Sequence, residues 1–536
     1  MSFLHEYTIF NKLNFFDFNF ENNLFYNELF SFCSEFFFLI SLLFLLFIFI
    51  IITDSKMYKK PDSSIFAIKL SIFFLFFLFL LNYIFIEDIF ESVNFNFLFY
   101  QEPFNFIIKL FLIITLIFCF YMSISYVKYE NFKTYEFSLL LLLSFYGTYL
   151  LLISNDFLSF YLAIEMQSLS FYILASLKKD SNFSTEAGLK YFILGAISSG
   201  FLLLGFSIIF GFSGCTNFFD LKLFYSFLNT PYYEYPIGIQ TFIHNLLEYA
   251  HIFGFVFILV GLFFKLGIFP FQIWIVDVYE GVPTIITAIF STIPKIIFFI
   301  LFLKFYLFIF SIPVLLFSTL KNIIFIFSIF SILLGSLGAL FQTKIKRLFA
   351  YSAISHAGFL LLSISISTVS SVFSFFLYLI IYILLSLNFF LIYLNLRTFE
   401  FKFKFKKLSD LANLAELNPT LSFCLLLTIF SIAGVPPLAG FFSKFFIFSA
   451  LIEKSFYLIS IFVILISVLS SFYYIRLIKT IYFSTKVKNV SLYQISTTDS
   501  ILISFTFLLN VFFICFPGFF VEIAKTLSYL FLNKNF

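Results

Sequence analysis

Six ionisable side chains stand inside stretches that are otherwise almost wholly apolar. Glu165, Lys265, Lys295 and Lys444 lie deep in such runs, Lys190 opens another, and His356 falls within a further one. A lysine at mid-bilayer costs about 2.5–3.5 kcal/mol on insertion scales, so each position calls for a reason. Lys265 sits in Val260–Phe271, VGLFFKLGIFPF, followed closely by Gly267 and Pro270. Proline removes a backbone donor and clashes with the preceding turn, which predicts a helix break there. Pro436 and Pro437, flanked by Gly434 and Gly440, predict a second break shortly before Lys444, and Pro294 should loosen the helix at Lys295. Broken helices in corresponding places of two halves mark transporters built from inverted repeats.

The chemistry such groups offer is proton transfer. A lysine held away from water releases its proton more readily than in solution, and an approaching carboxylate reverses that preference. A row of them takes up and hands on protons as partners come and go. Lys265 and Lys295 fall on consecutive antiparallel spans at similar depth and can share one polar layer. The competing reading is an ion pair that only fastens helices together. Lys190 is shallower, and for it snorkelling toward a charged surface competes with a role in transfer. His356 is balanced between a relay and a satisfied core histidine. Lys69, Lys109 and Lys304 lie near span ends and are expected to snorkel. Lys304 follows Lys295 by about half a turn beyond two full turns and should not extend the same row.

The elements that must position these groups are membrane spans. Of 536 residues, 62% are hydrophobic and 11% charged, against roughly 45–50% and 25% in a soluble domain. An all-α polytopic membrane protein follows. A span needs about 20 apolar residues, and fourteen such runs can be placed, at 34–53, 66–86, 105–126, 136–154, 156–177, 186–210, 249–275, 284–308, 322–342, 348–368, 371–396, 419–452 (broken), 456–480 and 497–520. Loops after odd-numbered spans carry most of the basic residues, including Lys56, Lys59, Lys60, Lys128, Lys178, Lys179, Lys344, Lys346, Arg347, Arg397 and Arg476. The loop after the seventh span carries none. This bias puts the basic side toward the cytoplasm or matrix and both termini on the other side.

Outside the spans, the first 33 residues form an N-terminal extension, Cys215–Leu247 is a polar, tyrosine-rich insert, and FKFKFKK before Leu408 is either a strand or interfacial ribbon at an anionic surface or a solvated linker. Five cysteines, Cys33, Cys119, Cys215, Cys424 and Cys515, are too scattered for an iron–sulfur or zinc site. No glycine-rich phosphate loop occurs, so nucleotide binding is not expected.

Four segments carry a resemblance. FYLAIEMQSLSFYILASLKKDSNFSTEAGLKYFILGAISSGFLLLG, HIFGFVFILVGLFFKLGIFPFQIWIVDVYEGVPTIITAIFSTIPKIIFF, LGSLGALFQTKIKRLFAYSAISHAGFLLL and FSIAGVPPLAGFFSKFFIFSAL resemble the NADH dehydrogenase subunit 2 family, the antiporter-like membrane subunits of respiratory complex I. The resemblance covers roughly 130–480; the first 130 residues match in span number only. DVYEGVPT and a lysine at 444 set the chain apart from the sister subunits 4 and 5, while Gln272 stands where relatives often carry histidine.

The resemblance implies fourteen helices with two inverted five-helix repeats and breaks in the seventh and twelfth. It divides the chain into the extension 1–33, helices 1–3 at 34–130, a first repeat at 131–310, a second at 311–485, and helix 14 with a tail at 486–536. It assigns proton translocation to Glu165, Lys190, Lys265, Lys295 and Lys444, with His356 a weaker candidate. The implied activity is proton pumping coupled to quinone reduction elsewhere, with FMN, iron–sulfur clusters and ubiquinone held by other subunits and no cofactor or metal here. Partners would be the other membrane-arm subunits and lipids, not nucleic acid. The implied location is the mitochondrial inner membrane, both termini toward the intermembrane space. A cation/proton antiporter subunit of the Mrp type and a purely structural membrane spacer are the alternatives.

Overall fold

The computed structural model describes residues 32–53, 61–88, 92–95, 97–130, 135–228, 237–310, 314–398, 405–484 and 492–532. In chain order the elements are α1 (Cys33–Thr53), α2 (Pro61–Asp88), a hairpin of β1 (Ser92–Asn94) and β2 (Phe99–Gln101), α3 (Pro103–Glu130), α4 (Glu136–Ile153), α5 (Phe157–Ala175), α6 (Asn182–Ser213), α7 (Phe218–Leu228), α8 (Ile237–Leu266), α9 (Ile273–Gly281), α10 (Thr284–Phe310), α11 (Val314–Leu340), α12 (Ile345–Ile366), α13 (Val369–Asn395), a 3-10 turn (Leu408–Leu411), α14 (Leu414–Leu417), α15 (Pro419–Ala433), α16 (Ala439–Glu453), α17 (Tyr457–Tyr482), α18 (Thr497–Cys515) and α19 (Pro517–Leu532). The two strands pair antiparallel.

Thirteen of the described helices are long and apolar enough to cross a membrane, and α15 with α16 supplies the broken fourteenth crossing. Lipid demands that every backbone polar group be satisfied within the protein, which is why the spans are helical and why their starts are capped. Asp156 opens α5 by accepting from the Leu158 amide at 2.8 Å, Thr368 opens α13 by accepting from the Ser371 amide at 3.1 Å, and Asn418 opens α15 ahead of Pro419, accepting from the Leu421 amide at 3.1 Å.

The core lies around α10, α12 and α13, which are buried over nearly all their length. Outer helices keep one bare apolar face. On α6, Leu189, Ile193, Ile197 and Phe201 are exposed at helical spacing, which is the face a bilayer or a neighbouring membrane protein covers.

Several expectations need correction. Lys109 does not snorkel: it is fully buried and pairs with Glu35 of α1, between the rings of Phe106 and Tyr149. A charge near a span end turns inward when a buried carboxylate on another helix offers a better partner than the interface. Lys304 also points inward, donating to Asn105 Oδ1 at 2.7 Å and to the Leu152 carbonyl at 2.8 Å. Lys69 is exposed, as snorkelling requires. The helix runs through Pro294 without interruption. The Cys215–Leu247 insert is partly helical, since it contains α7 and the start of α8; residues 229–236 within it lie outside the described residues. The fourteenth span stops at Cys515, and a separate helix, α19, follows it. Its Phe520, Ala524, Leu527 and Phe531 are buried, and Phe531 lies against Phe104 of α3 and Phe376 of α13. The N-terminal extension, apart from its last residues, and residues 401–404 of FKFKFKK lie outside the described residues; Lys407 forms an isolated bridge to Lys344.

Candidate functional site

The seventh span breaks as the sequence predicts. α8 ends at Leu266, Gly267 takes a left-handed conformation at φ 68°, and α9 resumes at Ile273. A side chain at Gly267 would collide with Ile275 as well as strain the backbone. Trp274 ties the two halves together, its indole donating to the Phe264 carbonyl at 2.9 Å. The twelfth span breaks in the same manner, with Gly434 at φ 89° closing α15 before Pro436 and Pro437.

Each break leaves helix-end carbonyls without an intrahelical donor, and a helix C-terminus carries partial negative charge. Lysines fill both ends. Lys295, reaching across from α10, donates to the Leu266 carbonyl at the end of α8. Lys444, on α16, reaches back to the carbonyls of Ala433 at 2.7 Å and Ile432 at 3.5 Å. Lys265 lies in the last turn of α8 and donates to the Tyr172 hydroxyl at 3.2 Å. The three lysines are 4–6% exposed. Their hydrogen-bond partners are neutral oxygens, and none pairs with a carboxylate among the described residues, in contrast to Lys109.

Glu165, Ser168 and Tyr172 lie on one face of α5, one and then two turns along. Ser168 donates to a Glu165 carboxylate oxygen at 3.4 Å, and the other carboxylate oxygen is buried without a partner among the described residues. Glu165 and Lys265 form no ion pair among the described residues; Ser168 touches the Glu165 carboxylate and, one turn on, the Tyr172 hydroxyl accepts from Lys265. Sequence reasoning did not single out Tyr172. Its hydroxyl is accommodated by Gly195, where an added methyl carbon would come within 2.0 Å of it. Tyr191 holds the ring edge-on at 4.8 Å and is itself stacked on Trp274 at 4.8 Å.

His356 joins the second half of the row. Its Nδ1 is 2.6 Å from the Tyr378 hydroxyl and its Nε2 3.4 Å from that of Tyr474. A narrow cavity of about 40 Å³ is lined by Ser291, His356, Tyr378, Tyr382, Ser431 and Lys444, among others. Ser291 lies one turn before Lys295, and the Tyr382 hydroxyl donates to its carbonyl at 3.4 Å. The cavity thus reaches from the neighbourhood of Lys295 to Lys444. Lys190 is placed elsewhere. Its side chain is 45% exposed and pairs with Glu186 at 2.8 Å and Asp277 at 3.2 Å, in a surface network where Arg347 binds Asp277 and both Arg347 and Lys344 bind Glu280. Gln272 begins the second half of the broken span, with one buried amide oxygen unpartnered among the described residues.

A helical membrane chain with two interrupted spans, each interruption closed by a buried lysine, has the build of an antiporter-like ion-transport subunit. Residues 154–470 match the family model described as NADH:quinone oxidoreductase/Mrp antiporter, TM, and the chain belongs to that family, on the NADH dehydrogenase subunit 2 branch that its relatives' names indicate. It is 37% identical to NADH-ubiquinone oxidoreductase chain 2 of Marchantia polymorpha, over 78% of this chain and 81% of that one. It is 38% identical to NADH-quinone oxidoreductase subunit N 1 of Rhizobium meliloti, over 72% and 76%. The fold is shared with a chain of respiratory complex I from Thermus thermophilus (21% identity, 91% and 98% covered, TM-score 0.71) and with one from the Mrp complex of Dietzia (14%, 92% and 96%, 0.74).

Proposed function

We propose that this chain is a proton-translocating membrane-arm subunit of NADH:quinone oxidoreductase, moving protons along Glu165, Lys265, Lys295, His356 and Lys444 while quinone is reduced in other subunits. The observation that carries this is the state of the three central lysines. A charge retained in lipid only to fasten helices is paired, as Lys109 is with Glu35. Lys265, Lys295 and Lys444 are instead held by hydroxyl and carbonyl oxygens, which hold an ammonium ion without fixing its charge. In this reading Glu165 is the group whose approach to Lys265 changes that lysine's hold on its proton, with Ser168 and Tyr172 carrying the contact between them. Protons then pass by water through the cavity shared by His356 and Lys444 and leave on the side opposite the basic loops. Lys190 stands at the rim, where the first repeat meets the basic surface.

The redox groups, FMN, iron–sulfur clusters and quinone, belong in this reading to other subunits, with which the chain assembles in a mitochondrial inner membrane, both termini toward the intermembrane space. The names of the relatives favour this over an Mrp-type antiporter. Replacing Lys265 by alanine in the assembled complex is expected to abolish most proton pumping and quinone-linked turnover while NADH oxidation by an artificial acceptor continues. Undiminished pumping would overturn the reading, and sodium-dependent transport by the chain without redox partners would replace it with the antiporter one.

A further inference from the structure

The buried face of the last spanning helix carries a line of polar groups that the row above does not use. On α18, Asp499, Thr506 and Asn510 are 1%, 1% and 4% exposed, and their spacing of seven and eleven residues keeps them within about 40° of one another around the helix. Over a rise of about 16 Å they lead from the basic-loop end of the bundle, where α18 begins, to the break in the twelfth span. At that inner end Ser431, which lines the Lys444 cavity, donates to Asn510 Oδ1 at 3.1 Å and accepts from the Gly440 amide at 3.2 Å. Midway, Thr506 donates to Asn388 Oδ1 of α13 at 3.2 Å. At the outer end the Asp499 amide caps onto Ser496 at 3.2 Å, and Lys128, Arg397 and Tyr129 are its charged and titratable neighbours.

What marks this line as more than helix-to-helix adhesion is its surplus of unused donors and acceptors. Both carboxylate oxygens of Asp499 and the amide nitrogens of Asn388 and Asn510 are buried without a hydrogen-bond partner among the described residues. Ser125 and Ser496 lie beside the carboxylate, but the Ser125 hydroxyl is spent on the Met122 carbonyl at 3.2 Å. Buried polar atoms in such number are ordinarily satisfied by ordered water. We propose that Asp499, Thr506, Asn388, Asn510 and Ser431 line a water-bearing proton inlet from the basic side to Lys444. The Asp499 carboxylate takes a proton from the basic side to become a neutral carboxyl. Water between the amides relays a proton inward, the unprotonated Lys444 amine accepts it as ammonium, and Asp499 returns to carboxylate. This inlet rests on the proton-transfer reading of Lys444, and it gives the second half of the chain its own supply, separate from Glu165 and Lys265.

The test is Asp499→Asn in the assembled complex, which keeps size and polarity but cannot carry the proton, with Asp499→Glu as the conservative control and Lys444→Ala as the reference. Proton uptake per NADH oxidised should fall severalfold in D499N and be restored in D499E, with the complex intact on a native gel. Full pumping by D499N while K444A is inactive would sink the inlet and leave the lysine row standing; full pumping by both would sink the row itself. A map of the complex fine enough to show water decides independently of whether D499N assembles. Ordered waters between Asp499 and Ser431 support the inlet, and continuous dry packing there overturns it.

Discussion

Lys109 and Lys265 are both lysines sealed inside the bundle, and they illustrate what a partner decides. Lys109 has Glu35, so removing the carboxylate leaves an uncompensated charge in the core. Glu35→Ala is expected to cost about 3–5 kcal/mol, seen as a lowered unfolding temperature of the purified complex, and replacing both residues by leucine should recover most of it. Equal stability of the single and double variants would refute the pairing as the cause. Lys265 has a phenol, and the expected loss there is functional. Tyr172→Phe should slow proton pumping severalfold with little change in unfolding temperature, and Gly195→Ala, which would displace the same hydroxyl, should mimic it. The positions of Glu165, Lys265, Lys295 and Lys444 could be read from sequence because a charge in an apolar run is conspicuous. Tyr172 could not, because in a chain with 31 tyrosines and 98 phenylalanines one ring says nothing until its neighbours are known. Lys109 misled because its partner lies 74 positions away on another helix.

At the scale of elements, the breaks were legible and the boundaries less so. Gly267 with Pro270, and Gly434 with Pro436 and Pro437, announce interruptions by local backbone chemistry alone. Pro294 carries the same signal, yet the helix continues through it, in a span that is buried along its length among other helices. α19 was missed because its sixteen residues are amphipathic and read as a tail. Gly434→Ala tests the break directly. A side chain there is strained by the positive φ and would press within 3.1 Å of the Lys444 ammonium, so pumping should fall although the lysine remains. Unchanged pumping in that variant would mean that Lys444 does not depend on the carbonyls of α15.

For the whole molecule, the apolar runs, supported by the alternation of basic loops, foretold fourteen crossings, and thirteen helices plus one interrupted pair bear that out. The same alternation predicts that single cysteines introduced at Lys179 and Lys454, in a background without the five native ones, react with impermeant reagents from opposite sides of the membrane. Labelling of both from one side would reject the predicted topology. The clasp at Lys295 carries one more consequence. The carbonyl it holds belongs to another helix, so deprotonating that amine would loosen a strut between two crossings. In the second half, Lys444 braces two pieces of one crossing. A change of charge should therefore be visible as mechanics: the amide vibration of Leu266, isolated by isotope labelling, would shift during turnover, reporting the passage of each proton as a brief slackening of the scaffold.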